Sequence, residues 1–285
     1  MSVLVIGGTG TVGRHVVAGL RAKGETVRVL TRRPEKVRDG MQGAEAVEGD
    51  LLDPAGLDRA LDGTKAMALI TAVGPKEAEE GRNAAEAARR AGCSRVVQMS
   101  VFLPPGAETI PHFASKLPIE EAVRRSAEQW TILRPNCFMQ NDLLYREAMS
   151  RHGVYPQPLG HRGVNLVDVR DIADAMVTAL TEAGYDGRLV EIHGPEALTA
   201  QGVAENWSQG LGREIHALDD DVQAWAGLVA PHLPEAVLPD LVTMFEFFVE
   251  KGLEADDAAL QAQRPLLGHA PRTHAAFVAE AVASD

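Results

Sequence analysis

The chain has 285 residues, 45% hydrophobic and 24% charged, a composition that suits a folded α/β unit with added segments and excludes a disordered or collagen-like chain. Its formal net charge of −12 has the wrong sign for a protein that lives on phosphate backbones, so no nucleic-acid partner is expected. No apolar run reaches the roughly 20 residues that span a bilayer, and two cysteines, Cys93 and Cys137, form neither a disulfide framework nor a metal-ligand spacing.

The apolar start, residues 1–6, has no basic segment and runs directly into glycines, so it reads as a strand rather than a signal peptide. A cytoplasmic protein is expected. Gly7, Gly10 and Gly13 follow that strand in G-x-x-G-x-x-G spacing and open an amphipathic stretch at 12–23. A pyrophosphate needs this arrangement, because it must touch backbone N–H groups and the positive end of a helix dipole, where side chains would block it. Gly7 allows the tight turn, Gly10 the close approach, and Gly13 the packing of helix on strand. Thr9, Thr11 and Val12 are expected as further contacts of the same loop. The spacing differs from G-x-G-x-x-G, yet its place between a strand and a helix favours a dinucleotide over a bare turn.

The second predicted strand, residues 26–31, selects the cofactor. An NAD-selective site carries an acidic residue about 20 positions beyond the glycines, on the ribose 2′-hydroxyl. Here the chain reads Thr31-Arg32-Arg33-Pro34, with Lys36 in the next turn. Guanidinium groups give paired, permanently charged donors to a 2′-phosphate. NADP(H) is therefore expected, the bland alternative being an exposed basic loop. The third strand, 44–47, ends in Gly49-Asp50-Leu51, where adenine lies in such folds. Asp50 either accepts from its amino group or simply turns the chain before the Asp53-Pro54 start of a helix at 54–61. The fourth strand, 66–71, closes with Thr71-Ala72-Val73-Gly74, small residues on the path of the nicotinamide ribose.

A helix at 77–91, strands at 95–99 and 130–133 and a helix at 119–127 complete the alternation. Strands and helices joined by short Gly, Asp and Pro turns make βαβ units, hence a Rossmann-type doubly wound parallel α/β sheet. After Pro135 the rhythm loosens. A helix at 169–182 and a strand at 188–192 read as late sheet elements, and 200–260 is helical and carries Trp207, Trp225, Phe245, Phe247 and Phe248. The expectation is one domain over 1–285, with a dinucleotide-binding core at 1–135. Residues 136–285 add late sheet elements and a small, mainly helical lobe that covers the substrate. Residues 244–248 suit a packed or dimer-facing helix better than a substrate wall, and a homodimer is left open.

The glycine loop, the Arg32-Arg33-Pro34-Glu35-Lys36 turn, Gly49-Asp50-Leu51, Leu133-Arg134-Pro135-Asn136-Cys137-Phe138-Met139-Gln140-Asn141 and the tail around Leu266-Leu267-Gly268-His269-Ala270-Pro271-Arg272-Thr273 together resemble the NmrA-like branch of the atypical short-chain dehydrogenases. The resemblance spans nearly the whole chain. It implies NADP(H) and a small-molecule substrate, with hydride transfer to a quinone, an iminium ion or a related carbonyl compound. The alternative it implies is a catalytically silent NADP(H)-sensing regulator. Short-chain dehydrogenases usually place Tyr-x-x-x-Lys on the helix after the fifth strand, and a Ser at the end of that strand. This chain offers Ser100 and Lys116, but His112 stands where the Tyr belongs.

An imidazole with an unperturbed pKa near 6.5 suits a general acid at neutral pH; the other reading is an ordinary loop histidine. Pro118 belongs in a first helical turn, so the helix is expected to begin near Lys116, which frees His112 from a fixed one-turn spacing. Lys116 is expected at the cofactor ribose or the substrate. Without a phenol, acceptors that need little enzyme-supplied proton are favoured. Pro135 and Asn136 are expected at the cofactor, with Phe138 and Asn141 at the mouth of the substrate pocket. Cys137 is read as buried and inert. His152, His161, His193 and His216 have no metal spacing, and no metal is expected.

Overall fold

The computed structural model describes every residue except 219, 234, 236 and 285. Six strands from the first half enter one sheet: β1 (Ser2–Ile6), β2 (Thr26–Thr31), β3 (Glu45–Glu48), β4 (Ala66–Ile70), β5 (Arg95–Met99) and β6 (Gln129–Pro135). A two-residue strand, β7 (Val154–Tyr155), lies outside it; β8 (Arg188–Ile192) returns as the seventh strand. The order is β3-β2-β1-β4-β5-β6-β8 and every pairing is parallel. The order turns back between β1 and β4, and the crevice at the carboxyl ends of strands on either side of such a switch is where open α/β sheets bind ligands.

The central strands are buried on both faces, which is why β4 reads as an unbroken apolar run rather than an alternating one; β5 is buried throughout as well, Arg95 and Gln98 included. Helices α1 (Gly13–Ala22) and α7 (Val169–Thr181) cover one face through Val16, Val17, Leu20, Ile172 and Met176. The other face is covered by α3 (Pro54–Leu61), α4 (Glu77–Arg90) and α6 (Lys116–Arg124), with Leu57, Leu61, Ile119 and Val123 pointing inward. Between these lie α2 (Pro34–Gly40), where the sequence suggested only a turn, and the single turn α5 (Pro111–Ala114). The helix read at 119–127 begins at Lys116, as Pro118 in its first turn implies, and ends at Arg124.

Later elements gather around a second apolar cluster. It contains α8 (Ala200–Leu211), α9 (Val222–Val229), α10 (Leu238–Lys251) and α13 (His274–Ala283), with Trp207, Trp225 and Phe248 at its centre. Phe102, Ile110 and Phe113, from the loop after β5, join the same cluster. Two further short helices, α11 (Asp257–Ala262) and α12 (Arg264–Leu267), lead back toward the sheet, where Leu266 and Leu267 pack with the α7 side chains. A small parallel pair, β7 with β9 (His216–Ala217), was not foreseen, because two-residue strands leave no alternation to read. No helix among the described residues is long and apolar enough to cross a membrane.

One buried carboxylate fastens these later elements. Asp142 is 1% exposed and accepts from Tyr155 Oη at 2.9 Å, Trp207 Nε1 at 2.9 Å and His274 Nε2 at 2.7 Å. Asn206 sits 3.1 Å from the other ring nitrogen of His274, which suits donation to Nδ1 and leaves the proton on Nε2. Burial, and then the Asp142 charge, push the Tyr155 phenol well above its ordinary value, so it remains a donor. Asp142→Ala would strand three buried donors, each costing about 1–3 kcal/mol. Urea denaturation is expected to show a loss of at least about 3 kcal/mol; a loss under about 1 kcal/mol would contradict this role.

Candidate active site at the sheet switch point

Geometry makes the opening loop glycine-dependent. Gly7 has φ +76°, in the left-handed region that favours glycine. A Cβ on Gly13 would overlap the Gly7 carbonyl oxygen, and one on Gly7 would overlap the carbonyl oxygen of Ile70 in β4. Gly8, not singled out in the sequence, is just as constrained: its Cβ would stand 2.8 Å from Val29 Cγ1 in β2. The loop is thus wedged among β1, β2 and β4, and its outer edge, Thr9-Gly10-Thr11, is exposed. The Gly10 amide donates to the Gly7 carbonyl at 2.9 Å, whereas the amides of Thr11, Val12 and Gly13 meet no acceptor among the described residues. No side chain caps α1. Uncapped N–H groups at a helix N-terminus are an anion site, and here they fit a diphosphate.

Arg32 and Arg33 follow β2 directly, and Lys36 lies in α2. All three are exposed, and their side chains make no hydrogen bond or ion pair among the described residues. Arg32 acts electrostatically on Glu80 of α4, whose pKa is raised by burial first and by the Asp50 charge second, with Arg32 opposing. Arg32, Asp50 and Glu80 therefore share one neighbourhood at the strand tips. One oxygen of Asp50 accepts from the Leu52 amide at 2.9 Å, and Asn83 donates to the Leu51 carbonyl at 3.0 Å, so this turn is held from both sides.

Across the switch, Lys116 belongs to a buried cluster. Its Nζ lies 3.0 Å from Thr71 Oγ1 and is ion-paired with Glu77 Oε1. Thr71 also donates to Glu77 Oε1 at 2.7 Å, and Ser115 Oγ donates to Glu77 Oε2 at 2.7 Å. The Glu77 side chain is fully buried, so the charge on the lysine is matched where both groups lack water. Sequence reasoning missed Glu77. Its only signal was an acid in the first turn of α4, which alone suits the helix dipole.

Ser100 faces a second buried carboxylate. Its Oγ donates to Glu120 Oε1 at 2.7 Å, and Arg134 grips both oxygens of Glu120 at 2.8 and 2.9 Å. Desolvation pushes the Glu120 pKa up, but the hydrogen bonds from Arg134 and Ser100, followed by the Arg134 and Arg124 charges, hold it below the usual range. The hydroxyl of Ser100 is engaged beneath the site.

Beyond these groups opens a cavity of about 1080 Å³. Thr71, Val73, Ser100, Lys116, Pro135 and Asn136 border it on the sheet side. Ala72 is exposed beside Val73, outside that lining. Phe113, Phe138, Tyr145, Trp225 and Phe245 form apolar walls, and Leu144 (79% exposed) and Leu228 (55%) stand at the mouth. Met244, Phe245 and Phe248 all line the cavity, so the aromatic run read as a packed or dimer-facing helix also walls this space; Phe247 turns away toward Gly106.

His112 lines the same space with Nδ1 2.7 Å from Asp240 Oδ1. Asn136 is committed to the protein: Nδ2 donates to the Leu253 carbonyl at 2.8 Å, and Oδ1 accepts from the Cys137 amide at 2.7 Å. Asn141 Nδ2 lies 3.5 Å from Cys137 Sγ. Burial pushes the Cys137 thiol up to about 11, which leaves it protonated and unreactive at neutral pH.

A doubly wound sheet with amides at its switch point that are free among the described residues, and with Arg32, Arg33 and Lys36 exposed just beyond the next strand, defines a dinucleotide-binding protein of the Rossmann class. The NmrA-like family matches residues 1–277, and the chain belongs to that family. The (4-alkanoyl-5-oxo-2,5-dihydrofuran-3-yl)methyl phosphate reductase of Streptomyces griseus is 40% identical over 215 residues, 75% of each chain. The NAD(P)H azoreductase of Xenophilus azovorans is 32% identical over 235 residues, 80% of this chain and 82% of its own. The crystal structure of an Escherichia coli NADPH-dependent quinone oxidoreductase in complex with NADPH shares the fold, with a TM-score of 0.86 and 24% identity over 99% of both chains.

Two expectations follow. Charge-assisted hydrogen bonds contribute about 1.5–3 kcal/mol, so Arg32→Ala is expected to weaken NADPH binding by tens of fold while leaving NADH affinity nearly unchanged; equal losses in a titration would contradict the assignment. Glu120 has a folded-state pKa below its unfolded value of 4.5, so its stabilisation is present above that pH and is lost as pH falls through the folded value. The stability gap between wild type and Glu120→Gln is therefore expected to narrow from neutral pH to about pH 3, as read from urea midpoints, and a constant gap would refute it.

Proposed function

We propose that this chain is an NADPH-dependent oxidoreductase whose acceptor is a bulky, apolar, planar electrophile of the quinone type. The carrying observation is the large apolar cavity that opens beside Thr71, Ser100 and Lys116. Bound NADPH supplies a hydride. The protein's part is to hold the diphosphate on the loop amides, to select the 2′-phosphate with Arg32, Arg33 and Lys36, and to keep water from the acceptor.

Lys116 has three N–H donors. Thr71 and Glu77 engage two of them, and the third serves a cofactor-ribose hydroxyl or an acceptor oxygen. The lysine charge is already matched by Glu77, and no arginine lines the cavity among the described residues. A phosphorylated substrate would thus gain little there, and a neutral acceptor fits better. His112 takes the place of the missing phenol as proton donor. A silent sensor would need the cofactor crevice but not the cavity. The relatives named for reductions support the reductase reading.

The test follows the near-ultraviolet absorbance of NADPH with one-ring and two-ring quinones. A further buried ring is worth about 1.5 kcal/mol of apolar contact, so kcat/KM is expected to be at least about tenfold higher for two-ring quinones. Absence of NADPH oxidation with every quinone would refute the proposal.

A further inference from the structure

We infer that Asp240 is a positioning residue for proton transfer: it holds His112 so that Nε2 is the ring nitrogen that delivers a proton into the cavity. The inference rests on the reductase reading above and adds a residue that no local motif indicates. Asp240 lies in the first turn of α10, 128 positions from His112. Its Oδ1 is 2.7 Å from His112 Nδ1 and also accepts from the His112 backbone amide at 3.3 Å. Both side chains are largely buried, at 12% and 18% exposure. The opposite side of the turn is fixed as well: Ser115 Oγ, which donates to Glu77, also lies 2.8 Å from the His112 carbonyl oxygen. Phe113 meets the ring edge-on, with centroids 4.7 Å apart.

Nε2 makes no hydrogen bond among the described residues. It is also not among the sealed polar atoms without a partner, which among the described residues are only the two amide atoms of Gln98. It is therefore open, and the residue borders the cavity. A carboxylate can only accept. Asp240 consequently requires the proton on Nδ1, whereas free imidazole carries it more often on Nε2. When the ring is charged, Nδ1–H faces Asp240 and Nε2–H faces the acceptor. A carboxylate in this place fixes tautomer and orientation without itself taking the proton. The helix that carries Asp240 also carries Met244, Phe245 and Phe248 of the cavity wall, so the element that walls in the acceptor also sets the donor. The other charged groups near this turn, Lys116 and Glu77, are paired with each other.

A quinone receives two electrons and one proton as hydride, leaving oxidised cofactor and a hydroquinone monoanion. The second proton passes from His112 Nε2 to the anionic oxygen, and the ring regains one from solvent. A triarylmethyl cation becomes neutral on receiving hydride alone and needs no second proton. The two acceptors thus separate proton delivery from everything else that Asp240 holds in place.

The experiment uses full-length wild type, Asp240→Asn and His112→Asn. First, without cofactor, ¹⁵N-histidine spectra at about pH 8.5, where an ordinary imidazole is neutral, report the tautomer; the His112→Asn spectrum assigns the signal. The wild type is expected to carry Nδ1–H and Asp240→Asn to shift toward Nε2–H. Second, with NADPH, both variants are expected to lose about 100-fold in kcat on a quinone, while Asp240→Asn keeps the rate on the triarylmethyl cation within about threefold. An unchanged tautomer, an unchanged quinone rate, or equal losses on both acceptors would overturn the inference and leave a structural clip between α5 and α10. Should Asp240→Asn not fold, the wild-type tautomer decides: a proton on Nε2 rather than Nδ1 would overturn the inference. If the wild type reduces neither acceptor, the reductase reading fails, and the tautomer alone still decides whether Asp240 directs the ring.

Discussion

The whole arrangement depends on backbone amides at the start of α1 that no side chain caps among the described residues. Gly7, Gly8 and Gly13 are packed so closely against β2, β4 and one another that a Cβ at any of them would collide with neighbouring atoms. This packing brings the start of α1 to the switch point with the Thr11, Val12 and Gly13 amides free among the described residues. A diphosphate there completes a helix terminus that the protein itself leaves uncapped. Everything downstream inherits its position from that point: the basic tip of β2 on one side, and the Lys116 cluster and the cavity on the other.

The second feature is how the protein keeps charge under the site without water. Glu77 and Glu120 are almost completely buried, and each is fully engaged, one by Thr71, Ser115 and Lys116, the other by Ser100, Arg134 and Arg124. Buried ion pairs add little net stability compared with apolar packing, but removing one partner is expensive. Their value here is positional. Lys116 arrives at the cavity with its charge matched and one donor direction left, and Ser100 is fixed beneath it. On the proposed reading, such a site orients its acceptor by shape rather than gripping it by charge.

Much of this was legible in the sequence because the signals are short-range. The glycine spacing, the Arg32-Arg33 pair and the strand–helix rhythm each act within about one βαβ unit, and the sheet follows from them. Lys116 was also recognisable, together with the helix start that Pro118 fixes. What could not be read is what the chain closes over long separations. Glu77 meets Lys116 39 residues away, Asn136 reaches the Leu253 carbonyl across 117, and His112 meets Asp240 across 128. Each of these residues has an ordinary local role: a dipole-matching acid, a strand-end amide, an acid in a first helical turn. Periodicity for residues 244–248 says only that one face is apolar, not that this face borders empty space rather than another helix.

The central claim is that the free amides and the three cations together select a phosphorylated dinucleotide. Isothermal calorimetry of the unaltered protein with NADPH and NADH tests it most directly. One molecule of NADPH per chain is expected to bind at least about tenfold more tightly than NADH, with that preference shrinking as salt rises. No heat from either nucleotide, or equal affinity for both, would contradict the account.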